Sequence, residues 1–209
     1  MLHTTNVKPR KRYASALRDA QAEVTRTRIL DALVRTMANG VAGLSIAAVA
    51  REAGVSTLTI YRHFGSKRGL LEALSPYVIA KGDLMPDELP DSFAELEKMV
   101  RRMFRNLAGM DQTLRAAMAS ELGQQVRRSM MSQRQAMVRQ TVIRVAPDLP
   151  AAEVGRLSAV FLILMSTPNF RALKDYLELG PDASAELVSW AMGALIDGAR
   201  IQSNEREEA

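Results

Sequence analysis

Seven residues carry donors or polarisable groups within one short stretch: Thr57, Thr59, Tyr61, Arg62, His63, Ser66 and Lys67, with Leu58 among them. No carboxylate lies between Glu52 and Glu72. A helix face that only meets water more often mixes Glu with Lys. Hydroxyls, a phenol, a guanidinium and an imidazole, free of acids, suit phosphate oxygens and base edges instead. The chemistry offered is polyanion recognition rather than bond making.

The elements that must position these groups are readable around them. Ser45 can cap a helix whose Ile46, Val49, Ala50 and Ala53 share one face. Gly54 follows, where a left-handed residue ends a helix at little cost. Val55 plugs the gap to the next helix. Ser56 caps Thr57–Phe64, which turns Ile60 and Phe64 inward. Ser66 caps a third helix and leaves Lys67 at an N-terminus that favours phosphate. Helix, glycine turn, helix is the helix-turn-helix signature, whose second helix enters the DNA major groove.

The segment AGVSTLTIYRHFGSKRGLL, Ala53 through Leu71, resembles the recognition segment of the tetracycline-repressor (TetR) family, with a weaker likeness back to about Thr25. The resemblance implies an all-α homodimer: an N-terminal three-helix helix-turn-helix domain and a C-terminal helical ligand-binding and dimerisation domain. It implies that Thr59, Tyr61, His63 and Lys67 contact the DNA backbone and that bases are read from around Thr57, Leu58, Tyr61 and Arg62. Thr25, Arg28, Ser45 and Ser56 complete the candidate DNA-binding set. Three positions depart from the family pattern. Arg68 replaces a frequent acid, Gly69 falls inside an expected helix, and Pro76 interrupts it.

Charge distribution agrees with this reading. Residues 1–75 hold 12 Lys and Arg against five Asp and Glu, whereas residues 76–209 hold 16 against 18. The net +5 is therefore concentrated where the motif lies, as expected of a polyanion binder. With 47% hydrophobic residues the chain can build a packed core. It has no cysteine, so neither disulfides nor thiolate metal sites are available, which fits a cytoplasmic protein. The longest apolar run, Ala159–Met165, is too short to span a membrane. The basic N-terminal cluster has no apolar segment behind it and is not read as a secretory signal.

Along the chain, residues 1–18 read as a disordered basic arm and 19–66 as the DNA-binding domain. Its first helix runs from Ala20 to Asn39, with Ile29, Leu30, Leu33, Val34 and Met37 as the apolar stripe. Residues 67–90 read as a linking helix, broken or bent at Pro76, followed by a loop. Residues 91–202 read as the second domain, with helices over about 92–107, 111–123, 124–145, 150–165, 170–179 and 184–202. Residues 203–209 read as a frayed tail.

In the second domain, the helices over 150–165 and 184–202 are apolar on more than one side, which predicts a four-helix dimer interface. Leu157, Phe161, Trp190, Ala191, Ala194, Leu195 and Gly198 are its candidates, with Gly193 among the small residues that permit close approach. Methionine-rich middle helices suggest a pocket for an apolar or amphipathic effector, lined by Met99, Met103, Phe104, Met118, Met137, Phe161, Met165 and Phe170. Few charges fall at inward positions. Arg115, Arg127, Arg128 and Arg139 read as surface, with one able to reach an acidic head group.

Catalytic and cofactor constellations are missing from the sequence. The only histidines are His3 and His63, and no His-Glu-x-x-His, phosphate-binding glycine loop or Gly-x-Ser-x-Gly elbow occurs. The expected function is a non-enzymatic, cofactor-free repressor that a small effector releases from a palindromic operator. Its partners are double-stranded DNA, a second copy of itself and that effector, with no membrane. The alternative is a helical small-molecule-binding protein whose helix-turn-helix serves protein contacts.

Overall fold

The computed structural model describes residues 10–40, 45–85 and 88–207. Among these residues there are helices and no strand: α1 (Arg10–Ala38), α2 (Ile46–Ala53), α3 (Thr57–Phe64), α4 (Lys67–Glu72), α5 (Leu74–Lys81), α6 (Phe93–Gly109), α7 (Gln112–Ala119), α8 (Glu121–Ser129), α9 (Met131–Val145), α10 (Ala151–Leu164), α11 (Thr167–Leu177) and α12 (Pro181–Glu207). The all-α expectation holds. No single described helix is long and apolar enough to cross a membrane.

The chain divides into two compact units. The first comprises the described residues up to Leu74 together with Gln112–Gln124. Within it α1 packs on α2, α3 and α7. The sequence assigns 112–124 to the other domain, but Leu114 and Ala117 of α7 are buried in this unit. Ile29, Leu30, Leu33, Val34 and Met37 of α1 are all buried, as the stripe requires. Val49, Ala50 and Ala53 of α2, Ile60 of α3 and Leu70 of α4 are buried as well.

Helix α1 begins at Arg10, inside the segment read as a disordered arm. Basic composition suggested an arm, yet Ala, Arg, Leu and Gln are among the strongest helix formers. The residues before Arg10, with Lys8, lie outside the described part of the chain. Helix α4 stops at Glu72 and α5 starts at Leu74, so the break falls three residues before Pro76. The geometry explains the offset. A proline ring collides with the carbonyl four residues back, here Glu72, but is tolerated in a helix's first turn, where no N–H is needed.

The second unit comprises Ser75–Asp111 and the described residues from Gln125 onward. Helix α12 packs on α6, α10 and α11, and α10 packs on α9 and α11. Leu96, Val100, Phe104 and Leu107 form the buried stripe of α6. Each such side chain contributes roughly 1.5–3 kcal/mol on burial. Gly193 of α12 lies against Phe93: an added Cβ would stand 3.1 Å from the ring. Its smallness serves close approach within the chain, not the dimer interface where the sequence placed it.

Further boundaries differ from expectation: the helix expected over 111–123 breaks at Ser120, and the last helix begins at Pro181. The helix expected over 124–145 breaks at Met130, because the Ser129 hydroxyl donates to the Val126 carbonyl (2.8 Å) and closes α8. The frayed tail is helical through Glu207. Arg206 reaches the buried Glu153 at 3.1 Å, and Arg156 holds the same carboxylate at 2.8 Å. Residues 208–209 lie outside the described part.

Candidate nucleic-acid interface

Three hydroxyls set the frame of the first unit's reading helix. Ser45 accepts a hydrogen bond from the Ala48 amide (3.2 Å), Ser56 from the Thr59 amide (3.1 Å) and Ser66 from the Gly69 amide (3.0 Å). Each satisfies one orphan N–H of a helix start, an interaction worth about 1 kcal/mol. Gly54 closes α2 in the left-handed region (φ 64°), with its own amide bonded to Arg51 and that of Val55 to Ala50. The turn between α2 and α3 is thereby fixed at both ends, and Val55 sits half-buried within it.

This frame leaves one face of α3 to solvent. Thr57, Leu58, Tyr61 and Arg62 are exposed, Leu58 to 76%. Thr59 and His63 are half-buried at its edge, and the Thr59 hydroxyl is 2.9 Å from that of Ser56. Lys67, at the first position of α4, is exposed. An apolar side chain as open as Leu58 gains nothing from water; it suits contact with a thymine methyl or a sugar.

The rest of the predicted set is less uniform. Arg28 is exposed on α1. Thr25 is half-buried, and its hydroxyl donates to the Gln21 carbonyl (2.9 Å) within α1. Ser45 and Ser56 spend a lone pair on capping, so their first role is to set helix starts.

Sequence reasoning missed the brace under this helix. Arg26 donates from Nη1 to the His63 carbonyl (3.3 Å), and its guanidinium lies 4.6 Å from the centroid of the Phe64 ring. The His63 carbonyl is in the last turn of α3, where carbonyls lack intrahelical partners. An arginine on a helix otherwise read as solvent-facing gave no signal of this.

The carboxylates bordering the face are both engaged. Glu52 accepts from Arg35 at 2.5 Å and Glu72 from Arg68 at 2.7 Å. Arg68, out of family pattern, thus pairs one turn along its own helix. Gly69 is also explained: a Cβ there would run into the Phe64 carbonyl oxygen. Close approach of the two helices requires glycine at that point.

In the second unit the candidate residues separate. Phe104 and Phe161 expose no surface even to water, and Phe170 is buried with its ring 5.0 Å from that of Phe104. They pack the core and do not line an open site. Met99, Met103, Met137 and Met165 are half-buried, as is Met118, which belongs to the first unit. Leu157 and Phe161 are likewise closed inside the protomer, so neither is available to a partner. Trp190 is 70% exposed, with Leu195 and Ala194 exposed beside it and Ala191 and Gly198 half-buried. Sequence reasoning missed Leu187, Ile201, Val160 and Ile163 on the same two helices, all of them exposed. Alternation of buried and open apolar positions was hidden by helices apolar nearly all round.

Arg127, read as surface, is half-buried on α8, and its Nε is sealed from solvent without a hydrogen-bond partner. Among the described residues no group of three or more His, Asp or Glu gathers as a metal site would require.

Residues 29–74 match the family described as bacterial regulatory proteins, tetR family. The HTH-type transcriptional regulator BetI of Paraburkholderia phytofirmans is 40% identical over 58 residues, which span 27% of this chain and 30% of BetI. The fold is similar to that of NalD, the secondary repressor of the MexAB-OprM multidrug efflux pump in Pseudomonas aeruginosa. That match has a TM-score of 0.63 and 22% identity, and covers 83% of this chain and 96% of NalD. A transcriptional regulator from Rhodococcus sp. Rha1 is similar at a TM-score of 0.51 and 16% identity, covering 83% and 97%. The helix-turn-helix of residues 29–74 thus matches that of the tetR family of bacterial regulatory proteins, and the all-helical fold of the chain is similar to those of the regulators named.

Proposed function

We propose that the chain is a dimeric DNA-binding transcriptional repressor that a small effector releases from a pseudo-palindromic operator. The observation that carries this reading is the acid-free outer face of α3, with Thr57, Leu58, Tyr61 and Arg62 exposed and Lys67 at the head of α4. Each subunit would lay that face in a major groove, the two lying one helical turn or a multiple apart. Tyr61, His63 and Lys67 would hold phosphates, and Arg62 with Leu58 would meet base edges. Repression, rather than activation, is supported by NalD, which is described as a repressor.

The dimer would form through the open apolar side of α10 and α12. Leu187, Trp190, Ala194, Leu195 and Ile201 recur at helical spacing on α12, and Val160 and Ile163 on α10. A set of large exposed apolar groups of this kind marks an interaction surface. A ligand in the second unit would act by binding the DNA-competent and DNA-incompetent arrangements with unequal affinity.

Fluorescence anisotropy on DNA from the chain's own upstream region, titrated with salt, tests the reading. Binding should weaken steeply with salt. Lys67→Ala should weaken it and reduce the log–log slope by about 0.9, the share of one phosphate. Unchanged binding in both Tyr61→Ala and Lys67→Ala would remove the interface.

A further inference from the structure

Five arginines of the second unit are paired with acids. Arg102 pairs with Asp83 (3.2 Å), Arg105 with Asp182 (2.6 Å), Arg200 with Asp148 (2.7 Å), and Arg156 and Arg206 share Glu153. The arginines of this unit outside those pairs are exposed, except Arg127 and Arg134. Both are half-buried, and among the described residues neither guanidinium has a carboxylate or carbonyl to hold. The Nε of Arg127 is out of water and bonded to nothing. A surface arginine that lays its stem on the protein keeps its guanidinium wet, so this is not that arrangement.

The surroundings increase the imbalance. Arg127 lies in the last turn of α8 and Arg134 in the opening turns of α9, one on either side of the break at Met130. The first turn of α9 contains no acid, and Met130 offers no side-chain cap. A cation there opposes the positive end of the helix dipole. Burial pushes both guanidinium groups below their ordinary pKa, and for Arg127 the charge of Arg134 adds to the effect. Arginine does not give up its proton in proteins, so the burial costs stability and the charge stays. The face that continues from Arg134 is apolar: Met137 is half-buried and Val138 buried, one turn along.

We infer that Arg127 and Arg134 hold the anionic head of a small amphipathic effector, a carboxylate on an apolar body, at the junction of α8 and α9. This rests on reading the second unit as the effector-binding part. Paired guanidinium forks match the two oxygens of a carboxylate, and the bonds are charge-assisted. Partial burial selects a small molecule over an acidic macromolecule, whose backbone would have to follow the carboxylate below the surface. Met137 and its neighbours then receive the apolar body, where adaptable thioethers tolerate its shape.

The test uses the full chain and hexanoate, octanoate, decanoate and dodecanoate, each against the straight-chain alcohol of the same length. At least one carboxylate should raise the melting temperature where its alcohol does not. Arg127→Gln and Arg134→Gln should each shift the midpoint concentration about tenfold or more, the loss expected for a charged hydrogen-bonded partner. DNA binding without carboxylate should be unchanged in both. Arg127→Met should raise the melting temperature of the free protein, since it removes an unpaired buried cation; a purely structural role would lower it. If a glutamine variant does not fold, Arg127→Lys keeps the charge, loses the fork and should still weaken the response. No carboxylate outperforming its alcohol, an undiminished response in the variants, or a change in monomer–dimer equilibrium in place of ligand response would each overturn the inference. A chain that binds its upstream DNA yet ignores every carboxylate sinks this inference alone. A chain that does not bind DNA sinks the earlier reading, while the melts still judge this one.

Discussion

Arg26→Ala separates positioning from contact. Arg26 gives one hydrogen bond to the His63 carbonyl at 3.3 Å and places its guanidinium 4.6 Å from the centroid of the Phe64 ring. The bond is long but charged, worth about 1 kcal/mol. The ring contact is half-open to solvent and adds about 0.5–1 kcal/mol. Loss of both should destabilise the first unit by roughly 1.5–2 kcal/mol, seen as a lower melting temperature. A loosened α3 must be re-ordered on binding, so affinity for DNA should fall by about tenfold for each 1.4 kcal/mol so spent. Arg26 is occupied at His63, so no counterion is released through it and the salt slope should not change. Anisotropy titrations over a salt series measure affinity and slope together, beside Lys67→Ala as the variant that should lose slope. Arg26→Lys should recover part of the stability through the ring and little through the carbonyl. A slope reduced as far as in Lys67→Ala would mean that Arg26 goes to a phosphate; unchanged melting would mean the brace contributes nothing.

Gly69→Ala should destabilise the first unit by about 1–3 kcal/mol in chemical denaturation, because the clash with the Phe64 carbonyl outweighs a helix-propensity gain of about 1 kcal/mol. Trp190→Glu should raise the dimer dissociation constant by about thirtyfold or more, as for loss of a 2 kcal/mol anchor, measured by sedimentation equilibrium. The Arg200 guanidinium holds the Asp148 carboxyl below its usual range, through bonds of 2.7 and 3.1 Å. A depressed folded-state value gives stability above the ordinary aspartate pKa of about 3.9 and loses it as pH falls through the lowered one. Asp148→Asn should therefore be less stable than the parent near neutrality by at most about 1 kcal/mol, both partners being about half exposed, with the gap closing in acid.

The first unit was legible because its signals are local. Ser45, Ser56 and Ser66 each cap the helix that follows three residues from its bonded amide, and Gly54 turns where a glycine was expected. Such relations span a few positions and can be read from spacing alone. The break at Met130 depends on Ser129 choosing the Val126 carbonyl over solvent, which spacing does not reveal. The brace at Arg26 joins residues 37 positions apart, and nothing near Arg26 announces it. Leu157 and Phe161 were assigned to a partner because α10 is apolar on several sides. Only packing decides which of those sides its own chain covers.

Charge accounting sorts functional from structural groups better than charge counting does. The pairs Arg35–Glu52 and Arg68–Glu72 are exposed, and such pairs add little to stability. Their effect is on local potential: each sets a cation against an acid that borders α3, so the donors of that face stand without a competing carboxylate. In the second unit the same accounting pairs Arg102, Arg105, Arg156, Arg200 and Arg206 with acids and leaves Arg127 and Arg134 as the half-buried arginines without one. An unpaired cation in water costs almost nothing and implies nothing. One whose Nε is sealed off and unbonded has a standing cost that folding alone does not repay. Sequence composition cannot tell the two apart, because both are simply Arg on a helix; the difference lies in what each guanidinium can reach.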